Sequence, residues 1–394
     1  MKKTLFLILC CVLLLALNAG AAEDAETRWT VTTPEDAPWL VTSPTLNGKI
    51  DQALTQVSEA GEAPRRLLEE RIITLTKGDR TERIYYDDLY GETWLVTGET
   101  PVLLEGDLGP SLAYPFRLWV EETSLDFDGA AAYENFLAPW GWTPAFVVSR
   151  QTIPLPEKLT ASRTDAADMY FTWAQLFLKD ADYDLTPWLG QAVDVTILGL
   201  WETVPRSVFV PEDEENGIRV RSNLRCIVLE KDGEVIGAYL SAGRHNGTWK
   251  LSLKGSSPLD LLGTVDPTDY LLSRAELTDE DTAMAILTPE EVIRAYFADG
   301  APANRYAPRS QLLTLRCANL VDDRLFAPYG EEFPYGEDSA TSQLALGEIS
   351  DLAPMPNDPD VWCVRFADET LLYVRLLHES DATGWKILWC YDFY

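Results

Sequence analysis

Three dipeptides, Asn216-Gly217, Asp232-Gly233 and Asn246-Gly247, punctuate the stretch between residues 190 and 254. Each offers two adjacent residues that tolerate positive φ, which is what a two-residue hairpin turn needs if its twist is to match the flanking strands. Strands joined so tightly run antiparallel, because a parallel pair needs a crossover of a dozen or more residues. The stretch is therefore expected to form an antiparallel meander. A meander with one apolar face needs a cover, and the preceding residues supply it. Met169, Tyr170, Trp173, Leu176 and Phe177 recur at helical spacing between about residues 164 and 179.

The same order, a helix and then hairpin-linked strands, recurs on both sides. Ahead of it, Ile50, Ala53, Leu54 and Val57 form a helical stripe. Alternating segments follow around Ile73 and Leu75, Ile84 and Tyr86, and Trp94 and Val96, with turns at Lys77-Gly78-Asp79 and Thr97-Gly98-Glu99. Beyond it, Ser256, Ser257, Pro258, Gly263, Pro267 and the acidic Asp279-Glu280-Asp281 mark a less regular junction. Thr288-Pro289-Glu290-Glu291 then reads as a capping box, with Thr as N-cap, Pro at the first helical position and Glu three residues after the cap. Val292, Ile293, Tyr296 and Phe297 build one apolar face of that helix. A second helix is expected around Gln311 to Leu320, and strands at Val361 to Phe366, Leu371 to Leu377 and Trp385 to Phe393. The last alternates Trp385, Ile387, Trp389, Tyr391 and Phe393, which predicts one aromatic face that is buried or lines a pocket. The fold class is α+β, in successive helix-plus-antiparallel-meander units. Their boundaries are 22–128 for an N-terminal unit, 129–256 for the clearest one, 257–287 for the junction and 288–394 for a C-terminal unit.

Residues 1–21 stand apart. Lys2 and Lys3 precede an apolar run from Leu5 to Leu17, and small residues occupy the -3 and -1 positions of a cut after Ala21, the pattern of a secretory signal peptide. The run is shorter than the about 20 residues of a comfortable membrane span. An uncleaved N-terminal anchor is the alternative. Cys10 and Cys11 lie inside the run, not where a lipid-anchoring cysteine would sit. No later segment approaches a span, so a secreted or extracytoplasmic protein without a membrane span after cleavage is expected.

Composition narrows the partners. Asp and Glu number 63 against 32 Lys and Arg, a formal charge of -31, and removing Lys2 and Lys3 with the leader makes the imbalance larger. Such a chain repels phosphate backbones and anionic membrane surfaces, so nucleic-acid binding is excluded as an expectation. Hydrophobic residues at 46% nevertheless mark a folding chain, not an acidic tail. Past the leader the cysteines are Cys226, Cys317, Cys363 and Cys390, too few for a disulfide scaffold in a chain this long. Cys226 shares an apolar strand face with Leu224 and Val228, and Cys317 lies four residues from Leu313 on the second C-terminal helix. Both read as buried thiols. Cys363 and Cys390 fall on the first and third strands of the C-terminal meander, about 10 Å apart and beyond disulfide reach.

His245 and His378 each sit at a strand end, and a Ser-His-Asp or Cys-His device needs one of them held by an acid and touching a nucleophile. Both read as solvated loop residues, although Glu379 and Asp381 are near His378 in sequence. Asp180, Asp182 and Asp184 match the first three ligand positions of a calcium loop. Leu185 then stands where Gly is required and Gln191 where a bidentate Glu belongs, so the EF-hand reading fails. A looser calcium site there, or at Glu212-Asp213-Glu214-Glu215, is the alternative to a solvated acidic loop. No CxxC, HExxH, GxGxxG or Walker loop occurs, so no cofactor is implied, and no catalytic, cofactor-binding or metal residue is assigned. Trp140, Trp142, Trp173, Trp188, Trp201 and Trp249 read as core in preference to a sugar-stacking surface.

Two resemblances add to this. Asn135-Phe136-Leu137 with Gly141-Trp142, Ile153-Pro154, Tyr183-Asp184-Leu185 with Gly190, Val220 to Leu224, Gly233-Glu234-Val235-Ile236-Gly237 and Ser241 resemble a bacterial extracytoplasmic domain of unknown function, DUF4830, over about residues 130–255. The acidic run Glu212 to Glu215 departs from that pattern. Thr288 to Phe297, the second helix and Gly384-Trp385-Lys386-Ile387 resemble the nuclear-transport-factor-two-like superfamily, which implies a cone-like C-terminal domain of helices against a curved sheet. Such cones host enzymes, carriers and spacers alike, so no catalytic residue carries over.

The function expected from all this is a non-enzymatic exported protein that binds an unknown ligand or envelope protein at the bacterial surface or exterior. The alternative is a carboxylate-dependent exported hydrolase with its site in the C-terminal domain. Two or more converging acids in a pocket would favour the enzyme. A cone filled by Trp385, Trp389 and Tyr391 would count against it, and calcium-assisted adhesion is a third reading.

Overall fold

Hairpin turns set the architecture. In a computed structural model, the described residues are 27–32, 38–58, 67–68, 71–87, 92–97, 100–106, 108–109, 112, 126–163, 166–205, 208, 221–242, 249–298, 312, 314–315 and 348–392. They contain helices and three antiparallel sheets, so the chain is α+β. By contact density it divides into two units, Met1–Val148 with Ile197–Cys226 and Ser149–Thr196 with Ile227–Tyr394. Among the described residues no helix is long and apolar enough to cross a membrane.

The first sheet is built from β1 (Thr30–Thr32), β2 (Trp39–Leu40), β3 (Ile72–Lys77), β4 (Arg80–Asp87), β5 (Glu92–Leu95) and β6 (Val102–Leu104), in the order β2-β1-β3-β4-β5-β6. Gly78, at φ 56°, makes the tight turn between Lys77 and Arg80. The helix α1 (Pro44–Ala53) opens at Ser43, whose hydroxyl accepts from the Leu46 N–H at 3.2 Å, with Pro44 at the first position. This cap starts the helix a turn earlier than the Ile50-to-Val57 stripe predicts. Val57 falls outside it, 51% exposed and bridged to Leu104. Trp29 is fully buried beside β1, its indole N–H donating to Asp51 at 3.0 Å and its backbone N–H to Asn47 at 2.7 Å.

The second sheet comprises β7 (Pro144–Pro154), β8 (Ala192–Pro205), β9 (Arg221–Lys231), β10 (Glu234–Ala242) and β11 (Trp249–Leu251), ordered β11-β10-β9-β8-β7. Asp232 and Gly233, at φ 53° and 84°, form the predicted two-residue turn between β9 and β10. Asn216-Gly217 and Asn246-Gly247 lie outside the described residues. Short helices α2 (Phe127–Ala131) and α3 (Glu134–Leu137) precede β7, and α4 (Ala166–Asp180) lies between β7 and β8 in sequence. Met169, Tyr170, Trp173 and Phe177 are buried as expected, but so are Phe171, Ala174 and Leu178, while Leu176 is half-buried. A helix apolar on most of its circumference is a core helix. Gly237 on β10 leaves room for the Leu178 side chain: a Cβ there would lie 2.9 Å from it.

The third sheet is preceded by α5 (Pro258–Leu262), α6 (Thr268–Leu272), α7 (Asp279–Ala283) and α8 (Pro289–Phe297). Both halves of the predicted Thr288/Glu291 capping box are formed, and Val292, Ile293, Tyr296 and Phe297 are buried. They pack with Val364, Phe366, Leu372, Val374, Leu376 and Ile387 from β13 (Asp358–Phe366), β14 (Leu371–Ser380) and β15 (Gly384–Asp392). The second C-terminal helix and Cys317 fall outside the described residues apart from Leu312, Thr314 and Leu315.

Two expectations about this sheet are corrected. A strand β12 (Ile349–Met355) precedes the three predicted ones, so Cys363 and Cys390 lie on the second and fourth strands of four. One strand still separates them: Cys363 pairs with Tyr373 and Val374 with Cys390. The regular alternation expected of β15 is also interrupted. Leu376 pairs with Ile387 but Arg375 with Trp389, so Leu388 is an extra residue and the register shifts there. Trp385 packs on the α8 side with Ile387. Trp389 and Tyr391 pair in register with Arg375 and Tyr373.

Candidate functional site

Charge is the scarce commodity in a protein interior, so buried ionic groups mark where chemistry can reside. Four converge in the second unit. Arg163 lies in the segment between β7 and α4, Asp281 on α7, Glu379 on β14 and Lys386 on β15, and all four are buried. Arg163 Nη1 donates to Asp281 Oδ1 at 3.3 Å, and Arg163 Nη2 donates to Glu379 Oε2. Glu379 Oε1 accepts the Leu315 N–H at 2.7 Å. Asp281 Oδ2 accepts from the Thr278 N–H at 2.9 Å and its hydroxyl at 2.8 Å, and Thr278 Oγ1 accepts from the Asp281 N–H at 3.1 Å in return. Burial pushes the Lys386 ammonium down to about 8, and the Arg163 charge adds to the effect against the opposing pull of Glu379 and Asp281.

The arrangement balances two cations with two carboxylates and commits every carboxylate oxygen to a protein donor. A hydrolytic pair works differently, with one carboxyl delivering a proton and the other free to attack or activate water. Glu379 and Asp281 instead orient one guanidinium through its planar fork.

A second buried polar group lies between α4 and the second sheet. Tyr170 and Tyr239 share a hydroxyl–hydroxyl hydrogen bond, and Lys250 Nζ sits 3.9 Å from the Tyr170 ring centroid, all three side chains being fully buried. The cation is stabilised there by the ring's negative face.

The residues singled out by sequence fare unevenly. His378 is exposed and meets Trp385 edge-to-face at 5.3 Å across the β14–β15 pair. His245 and Glu212 to Glu215 lie outside the described residues, and Trp249 opens β11. Trp173 and Trp201 are buried, whereas Trp140, Trp142 and Trp188 are half-buried. In the calcium-like run, Asp184 caps the turn at Thr186 and accepts from Gln175, and these hydrogen bonds hold its carboxyl below the usual range. Lys254 Nζ donates to the Asp180 carbonyl and sits 3.5 Å from Asp182 Oδ2. The Lys254 ammonium thus meets the exposed Asp182 carboxylate and the Asp180 main chain. Among the described residues no three His, Cys, Asp or Glu side chains converge as a metal site would require.

Sequence reasoning missed Arg163, Lys386 and Lys250. Lys386 had a signal, a lone cation inside the apolar run Gly384-Trp385-Lys386-Ile387-Leu388. Thr278 and Asp281 had one too, in capping-box spacing. Arg163 had none, because its partners are more than a hundred residues away.

Fold and site together define an α+β chain with three antiparallel sheets among the described residues, in which the buried Arg163 is closed on Asp281 and Glu379. Within it, residues 136–240 match the family model described as Domain of unknown function (DUF4830). That match includes α4, most of the second sheet and Arg163. Comparison with curated proteins and with solved structures gives no match.

Proposed function

We propose that this chain is an exported, non-enzymatic protein that binds a ligand or a protein partner at the bacterial envelope or exterior. Export rests on the leader pattern of residues 1–21, with Lys2, Lys3 and the apolar run to Leu17. The division into units 22–128, 129–256 and 288–394, with an extracytoplasmic DUF4830 domain and a cone-like C-terminal domain, belongs to the same reading. One observation carries the non-enzymatic part. The two acids converging in the C-terminal region, Asp281 and Glu379, have all their oxygens engaged by Arg163, Thr278 and Leu315. Neither is free to serve as general acid or nucleophile.

Two measurements test the proposal. Cell fractionation with N-terminal sequencing should recover a protein beginning at Ala22 outside the cytoplasm; a cytoplasmic protein starting at Met1 sinks the export claim. The chain from Ala22 should then show saturable, self-competed binding to isolated envelope material and no turnover of chromogenic glycosides or esters. Turnover abolished by Glu379→Gln would replace this reading with the hydrolase.

A further inference from the structure

Arg163 lies within the family-matched residues 136–240, yet both carboxylates that neutralise it lie outside them. Its neighbours in sequence make the same connection. Lys158 forms an ion pair with Glu276, the Ala161 N–H donates to the Arg274 carbonyl at 3.1 Å, and Ala161 bridges Ala275 in parallel register. Residues 158–163 thus run alongside 274–281, and Arg163 ends the strip by reaching on to β14. Exposure of the ionic groups changes along it: Lys158 and Glu276 are 52% and 68% exposed, whereas the Arg163 and Glu379 side chains are 3% and 0% exposed.

The gradient decides which contact matters. An exposed pair contributes little, since water and salt compete for it. A buried pair with one partner removed leaves an uncompensated charge in the interior, which is strongly destabilising, whereas replacing both partners with apolar groups is close to neutral. Asp281 adds a second coupling because the carboxylate that meets Arg163 also caps α7 through Thr278. Glu379 adds a third: it holds the Leu315 N–H, and the adjacent Thr314 N–H donates to the Ile387 carbonyl of β15 at 2.9 Å.

We infer that residues 158–163 and 274–281 form a built-in clasp, closed by Arg163 on Asp281 and Glu379, which fastens the C-terminal sheet to the family-matched part of the same unit. Removing Arg163 leaves two buried carboxylates, Asp281 and Glu379, without their shared guanidinium. The family-matched segment is therefore not electrostatically self-contained, and the C-terminal sheet reports on the state of a residue in it.

Hydrogen exchange followed by mass spectrometry on the chain from Ala22 tests this. Arg163→Met and Glu379→Gln should each speed exchange in β14, β15 and residues 274–297 by roughly a hundredfold, while β3 to β5 stay unchanged. The double variant Arg163→Met/Glu379→Met should exchange no faster than the faster of the two single variants, a non-additivity that marks direct coupling. If Arg163→Met does not accumulate as folded protein, Glu379→Gln and the double variant still decide the matter. Exchange within threefold of the parent in Glu379→Gln overturns the inference. So does acceleration spread equally over β3 to β5, or a double variant as fast as the two single effects combined.

Discussion

Single residues carry sharp tests of this structure. Gly384 opens β15 at φ 69°, and a Cβ there would overlap the backbone carbonyl and Cα of Ala285. Neither conformation nor space admits a side chain, so Gly384→Ala should cost about 2 kcal/mol or more in denaturant unfolding. Lys386 predicts a pH dependence of definite sign. Its folded-state pKa is about 8, below the ordinary lysine value, so between those two the unfolded chain holds a proton that the folded chain has released. Stability contributed by this group therefore rises as pH climbs from about 8 toward about 10.4, and is flat below that window. Urea melts of the parent should show the rise, and Lys386→Met should lose it. Cys226 is buried and burial pushes its thiol up, so it should resist iodoacetamide at pH 8 until the chain is unfolded, whereas half-buried Cys363 reacts in the native state.

At the scale of elements, the question is why some were legible. The α8 start was, because its code is local: Thr288, Pro289 and Glu291 satisfy one another within one turn. Thr288→Ala should lower stability by about 1 kcal/mol, read from the same melts, and a change indistinguishable from zero would mean that the cap is not formed in solution. The β9–β10 hairpin was legible for the same reason, since Asp232-Gly233 specifies its turn alone. Strands β1, β2 and β12 were not. The first two span three and two residues, too short for alternation to register. β12 is an edge strand carrying Asp351 and Pro354, whose composition resists sheet pairing and hides it from a propensity argument. The register shift in β15 was illegible because a bulge is defined by the partner strand, not by the strand that contains it. The site followed the same rule. Its capping acid Asp281 was readable, but the convergence of Arg163, Glu379 and Lys386 is tertiary and leaves no spacing to find.

For the whole molecule, the formal charge of -31 is the dominant long-range term. Like charges spread over a compact body repel one another more than over an expanded chain, so acidity opposes folding here. The repulsion reaches about 30 Å at 0.01 M salt and about 8 Å at 0.15 M. Thermal midpoints should therefore rise by several degrees as sodium chloride goes from 10 to about 150 mM, a range set by that screening length. The Arg163 cluster, buried and internally neutral, should contribute little to this dependence, so Glu379→Gln should lower the midpoint by a similar amount at either salt concentration. Calcium discriminates further. In the Asp180–Asp184 turn the described side chains do not converge as a metal site would require. Calcium chloride at matched ionic strength should therefore give the same midpoint as sodium chloride. A calcium-specific rise would instead point to Glu212 to Glu215 and to adhesion assisted by the ion, and loss of that rise on changing those four acids to Gln and Asn would locate it there.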